Sequence, residues 1–197
     1  MTDRLDKLPL LEARRLLFRG ASKDDAPALY EIFSREEVVR YWDHPVLTQV
    51  SQADDLVKSA HEGFEKYEVF SWCITLRDSD KVIGTCYLFD YSDEHKTAEI
   101  GYALHPDQWG QGLASEILPQ LITFGFGSLD LNRIHAEADP RNIASLKALL
   151  AQGFKQEGLI RENWIYRDED PSDTVVLGLL KREWNPLIAV VPATIPG

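Results

Sequence analysis

The hydrophobic positions change period along the chain. Residues 15–20 alternate as a short strand, and over 24–34 the apolar Leu29, Ile32 and Phe33 gather on one side of a helical repeat. A polar stretch with Tyr41, Trp42, His44 and Pro45 follows. Leu56, Ala60 and Phe64 then recur at helical spacing, which predicts a second helix from an N-cap at Ser51 to about Lys66. From there the period falls to two. Residues 69–76, 81–89 and 97–104 read as three strands, joined by a turn at 78–81 and a loop over 90–96. Connections this short predict an antiparallel meander.

The second half alternates helix and strand. Leu113, Ile117, Leu121 and Phe124 form the core stripe of a helix over 112–126, kinked or weakened at Pro119. A strand at 133–138, a short helix at 142–152 stopped by Gly153, and strands at 154–161 and 174–180 complete the pattern. This order predicts an α/β (α+β) fold with a mixed, mostly antiparallel sheet flanked by helices. The helix crossover makes 97–104 and 133–138 parallel neighbours. A chain of 197 residues suits a single domain, its core at about 11–184, with an apolar tail at 185–197 that packs on the domain or on a second subunit.

A hydrophobic fraction of 44% with 27% charged residues fits a folded globular chain and opposes disorder. Cys73 and Cys86 lie in apolar stretches without a CxxC pair, so both read as reduced core cysteines, in keeping with a cytoplasmic setting. The histidines show no paired ligand spacing, and no metal is expected. No apolar run approaches the roughly 18 residues of a membrane span, and the charged N-terminus is unlike a signal peptide. The net charge of −11 opposes binding to nucleic-acid phosphates and favours cationic partners, a class that includes amines.

The most informative chemistry lies in HPDQWGQGLASE, residues 105–116, where Gly110 and Gly112 stand between the end of a strand and the start of a helix. Glycines there allow a tight turn that aims N–H groups at an anion beyond the helix N-terminus, so the stretch reads as a phosphate-binding loop. No Gly-Lys-Ser/Thr follows, which excludes a Walker A loop. Gly110-x-Gly112-x-x-Ser115 approximates the spacing of a dinucleotide fingerprint, but the polar connection 105–108 separates it from its strand.

Trp109-Gly110-Gln111-Gly112-Leu113-Ala114 resembles motif A of the GCN5-related N-acetyltransferases, Q/R-x-x-G-x-G/A. It matches at Gly112 and Ala114 and carries Trp109 where that family has Gln or Arg. AEIGYALHP at 98–106, and Asn142-x-x-Ser145 followed by Gly153-Phe154, are similar to the RimJ/RimL branch, which acetylates protein N-termini or small amines. The resemblance spans about 11–184 and implies acetyl-CoA as cosubstrate, its pantetheine arm lying between splayed central strands. It puts residues 109–114 around the pyrophosphate and the backbones of Ala103 and Leu104 along the arm, with an N–H near Ala103 as oxyanion donor. Asn142 is then a CoA contact, a helix N-cap, or both.

Glu99 becomes the candidate base for the ammonium proton, its alternative being an ordinary sheet-face residue, and Ser145 the candidate partner of the leaving thiolate. Tyr41 and Trp42, together with Trp164 and Tyr166 in the acid-rich segment 161–173, are the expected walls of the acceptor site, the alternative for that segment being a solvated hairpin loop. The implied partner is an amine, a protein N-terminus included, bound by a monomer or homodimer. A non-catalytic acyl-CoA-binding module, or a transferase of another acyl group, is compatible with the same residues.

Overall fold

The computed structural model describes residues 4–42, 44–165 and 171–185. They form one mixed sheet in the order β1-β2-β3-β4-β5-β6-β8-β7. Strands β1 (Leu11–Glu12), β2 (Leu16–Arg19), β3 (Phe70–Leu76), β4 (Val82–Ser92) and β5 (Thr97–Leu104) run antiparallel in sequence. Strand β6 (Arg133–Ala138) joins β5 in parallel, and β8 (Ser172–Leu180) and β7 (Lys155–Trp164) complete the far side. The helices are α1 (Ala26–Phe33), α2 (Glu36–Val39), α3 (Val50–Lys66), α4 (Ala114–Gly127) and α5 (Ile143–Ala151).

Alternation along the strands assigns each face its layer. Phe70, Trp72 and Ile74, with Cys86, Leu88, Ala98, Ile100, Ile134 and Ala136, form the core beneath α4 and α5. The other face carries Cys73 and Ala103 against α1, α2 and α3, with Leu29, Phe33, Val39 and Val57 above them. Both cysteines are buried thiols, and burial pushes Cys73 up to about 12.

Several boundaries differ from the sequence reading. The second long helix begins at Val50, not after Ser51, because Gln52 Oε1 accepts from the N–H groups of Thr48 at 2.7 Å and Gln49 at 3.1 Å. The four-residue α2 is too short to show a period. Strand β4 runs on to Ser92, and Asp90 and Lys96 adopt positive φ where a longer loop was expected. Pro119 lies buried within α4 without ending it. In the sixth position it removes one backbone donor while its ring fills the core.

Among the described residues no helix is long and apolar enough to cross a membrane. The tail beyond Asn185 lies outside the described residues.

Candidate active site

Strands β5 and β6 pair only at Thr97↔Arg133, Ala98↔Ile134 and Glu99↔His135. Beyond Glu99, β5 continues to Leu104 and β6 to Ala138 without pairing, which leaves a splay in the middle of the sheet. It opens into a cleft of about 1220 Å³.

Backbone register decides which groups face the splay. His105 N–H donates to the Ile83 carbonyl at 2.8 Å, so the alternate residues Ala103, Gly101 and Glu99 also turn their N–H and C=O toward β4. The N–H and C=O groups of Tyr102 and Leu104 therefore point into the splay. This alters the expectation for Ala103, whose N–H belongs to the β4 ladder. Leu104 C=O accepts the Trp109 indole N–H at 2.8 Å, which ties the glycine loop to the end of β5. Trp109 thus performs a backbone-anchoring task for which Gln or Arg would have a different reach.

Gly110 and Gly112 both adopt φ of +71°, and a Cβ on either would meet nothing within 4 Å. The two glycines are required by backbone conformation and not by packing. Within the described residues, the N–H groups of residues 110–114 make no backbone hydrogen bond outside the helix, and Leu113 gives α4 no side-chain cap. A set of free amides at a helix N-terminus suits an anion. Arg15, absent from the sequence expectations, braces this loop. Its side chain meets Glu116 Oε1 at 2.5 Å and the Gln111 carbonyl at 3.0 Å, and its N–H meets Glu116 Oε2 at 2.8 Å.

Glu99 projects into the crotch of the splay. Its Oε1 accepts from Glu137 N–H at 3.3 Å, and its Oε2 lies 3.7 Å from His135 Nε2. Burial pushes this carboxyl up to about 7, the Glu137 and Asp90 charges add to the rise, and the Glu137 N–H partly offsets it. Burial and the Arg133 charge hold His135 below its ordinary value, so at neutral pH the pair is not a salt bridge.

On the opposite face, Ser145 of α5 comes within hydrogen-bonding reach of the Tyr102 phenol, whose titration is raised by burial. The Asn142 side chain accepts from Ser145 N–H at 3.2 Å and caps α5. Asp139 fixes the preceding turn. Its carboxylate, fully shielded, accepts from Arg141 N–H at 2.7 Å, from the Arg141 guanidinium at 2.8 Å and from Ser172 at 2.6 Å.

Tyr41, Trp42 and Trp164 line the cleft together with Glu99, Gly110, Gly112, Leu113, Ala114, Asn142 and Ser145. The guanidinium carbons of Arg40 and Arg141 lie 5.6 Å and 5.9 Å from the centre of the Tyr41 ring. Gln111 lies off the cleft wall, and Tyr166 lies outside the described residues. Among the described residues no cluster of His, Cys, Asp or Glu would hold a metal.

A central splay, a loop of amides without backbone partners and a buried carboxyl pushed up to about 7 lie together in one cleft, an arrangement that suits an anionic group and a proton-transfer step. Residues 15–155 match the family described as the acetyltransferase (GNAT) domain. The chain belongs to the GNAT acetyltransferase family. Its relatives include YoaA of Bacillus subtilis (strain 168), an uncharacterized N-acetyltransferase, 34% identical over 88% of this chain and 97% of the relative. Among solved structures, Mycobacterium smegmatis RimJ in complex with CoA-disulfide superposes with a TM-score of 0.78 at 20% identity, over 88% of each chain. Spermidine N-acetyltransferase from Vibrio cholerae with CoA and spermine does so with a TM-score of 0.77 at 16% identity, over 86% of this chain and 97% of the other. This GNAT chain is an acyl-CoA-dependent acetyltransferase with the fold of those enzymes.

Sequence reasoning missed Arg15, Tyr87, Tyr102 and Asp139 in this GNAT site. Tyr87 joins this face through the β4–β5 register, in which Thr85, Tyr87 and Phe89 stand opposite Ala103, Gly101 and Glu99.

Proposed function

We propose that this enzyme transfers the acetyl group of acetyl-CoA to a primary amine by direct attack, with Glu99 as the base. The observation that carries the reading is the Glu99 carboxyl, held in the crotch of the β5–β6 splay and raised to about 7. A base poised near the working pH is ionised often enough to act and basic enough to take a proton.

The free amides of residues 110–114 suit the pyrophosphate, and the splay suits the pantetheine arm, which would find backbone partners at Tyr102 and Leu104. Acetyl-CoA supplies the activated carbonyl. Glu99 accepts the ammonium proton directly or through one water, and the neutral nitrogen attacks the thioester carbon from the Glu99 side. The C–N bond forms, an N–H from Tyr102 or Leu104 stabilises the oxyanion, and as the C–S bond breaks the remaining extra proton on nitrogen passes to the thiolate, directly or through water. Ser145, linked to the Tyr102 phenol on the other face, donates a hydrogen bond to the departing thiolate.

Tyr41, Trp42 and Trp164 wall the acceptor side, and Asp90, Glu99 and Glu137 give it the negative charge a cationic amine requires. The acid-lined mouth also suits a protein N-terminus. The test is acetyl-CoA binding by calorimetry, followed in the same preparation by thiol release over a panel of amines and N-terminal peptides. Amine-dependent thiol release is expected. Tight binding without turnover on the whole panel would replace the enzyme reading with a sensor, and absence of binding would remove the phosphate-loop assignment.

A further inference from the structure

Along the glycine loop the carbonyls are largely engaged and the amides are not. His105 C=O and Pro106 C=O accept from the N–H groups of Gln108 at 2.9 Å and Trp109 at 3.0 Å, and Asp107 C=O accepts from the Gln111 side-chain amide at 2.8 Å. Gly112 C=O takes the N–H of Ser115 at 3.1 Å and its hydroxyl at 2.7 Å, and Leu113 C=O takes Glu116 N–H at 2.9 Å. Carbonyls held this way compete less with an anion for the neighbouring amides of residues 110–114.

The Gln111 carbonyl is the one satisfied from far away. It lies between two glycines at φ of +71°, where the local chain does little to fix the peptide orientation, and it accepts from Arg15 Nη2 at 3.0 Å across 96 positions. Arg15 is itself fixed on both sides. Its Nε meets Glu116 Oε1 at 2.5 Å and its N–H meets Glu116 Oε2 at 2.8 Å, in the first turn of α4. Arg77, just beyond β3, holds the turn that carries it: Arg77 N–H donates to Arg15 C=O at 3.0 Å, and Arg77 Nε to Ala13 C=O at 2.8 Å. The loop is thereby tied to the sheet through Arg15 and to the helix through Glu116. Gly110 and Gly112 line the cleft and Arg15 does not, so the guanidinium lies behind the loop. Glu116, with 15% of its side chain exposed, would alone repel an anion at the start of α4, and the Arg15 pair offsets that repulsion.

We infer that Arg15 is a positioning residue for the diphosphate of acetyl-CoA: by bridging Glu116 and the Gln111 carbonyl it holds the loop amides in their anion-receiving arrangement before the donor arrives. This role rests on the phosphate-loop reading of residues 110–114 and extends it to a residue outside the glycine motif. Amides already in place need no ordering on binding, so the clamp raises donor affinity without touching the donor. The planar fork is what the task demands, since a lysine carries the charge but does not reproduce a bridge to a carboxylate and a carbonyl at once.

The test compares acetyl-CoA, acetyl-dephospho-CoA and S-acetylpantetheine, which carries no phosphate, with the most active amine of the panel as acceptor. Arg15→Lys should weaken calorimetric binding of both CoA donors about tenfold, and the kcat/KM ratio of acetyl-CoA to S-acetylpantetheine should fall by a similar factor. Glu116→Gln should weaken binding of the same two donors, because Arg15 loses its anchor, and it carries the test if Arg15→Lys does not fold. A guanidinium acting directly on phosphate predicts the reverse: a nearly silent Arg15→Lys, and tighter binding once the Glu116 charge is gone. Either result would overturn the inference. So would an equal loss of kcat/KM with all three donors, the mark of a merely structural role, or a loss confined to acetyl-CoA, which would point to its 3′-phosphate. If the wild-type enzyme itself used S-acetylpantetheine as well as acetyl-CoA, the phosphate-loop reading would fall first.

Discussion

Replacing Glu99 by Gln should move activity and stability in opposite directions. Gln keeps the size of the side chain and an oxygen for the Glu137 N–H, and it removes the proton-accepting charge. A positioned general base contributes about 10²–10⁴ in rate, so kcat/KM at pH 7.5 should fall by roughly that factor. The wild-type profile should rise with pH through about 7 as the carboxyl ionises, and in the variant only the limb set by the acceptor amine should remain.

Stability follows from the same displacement. The folded protein holds the Glu99 proton up to about 7, while an unfolded chain releases it near 4.5. Between those values the folded state binds more protons, so its stability is greatest below 4.5, declines as pH rises through 7, and is level above. With 15% of the side chain exposed, the ionised carboxylate costs about 3 kcal/mol. Glu99→Gln should remove that cost. At pH 8 its Tm should exceed the wild-type value by about 2–4 °C for each kcal/mol. At pH 4.5 the two curves should meet. A variant with unchanged kcat/KM and an unchanged limb near 7, or one less stable than wild type at pH 8, would refute the argument.

Gly112→Ala places a Cβ in open space at φ of +71°, so its cost is conformational, about 1–2 kcal/mol. Calorimetry should show acetyl-CoA bound about tenfold more weakly. Trp109→Phe loses the indole bond to Leu104 C=O, worth about 1 kcal/mol, and should raise the acetyl-CoA Kd about fivefold. Burial pushes the Asp139 carboxyl up, but hydrogen bonds from Arg141 and Ser172 outweigh it and hold the group below its ordinary value. Its stabilisation is therefore present above about pH 4 and is lost as pH falls through the lowered value. Asp139→Asn should cost about 1–3 kcal/mol at pH 7 by urea unfolding and flatten the acid limb of stability.

Much of the scaffold was legible because two independent patterns agreed. The boundaries of β5 and β6 follow from alternation that buries Ala98, Ile100, Ile134 and Ala136 in one core, and the helical stripe between them requires a parallel crossover. The loop was legible because two glycines at a strand–helix junction have few other uses. What remained hidden depends on parity and on distance. Ala103 and Leu104 are neighbours, yet one turns its N–H into the β4 ladder and the other into the splay. A shift of one residue in the β4–β5 register would exchange their roles. Tyr87 and Glu99 come onto one face only through that register, and no local feature of the Tyr87 segment announces it. Arg15 reaches Glu116 across 101 positions, and Asp139 reaches Ser172 across 33. Such pairs arise when elements far apart in sequence become neighbours in the fold. The elements of this active site could therefore be read from local pattern, while the groups that tune its charge, above all Glu137 and Asp90 around Glu99, become visible only with the sheet assembled.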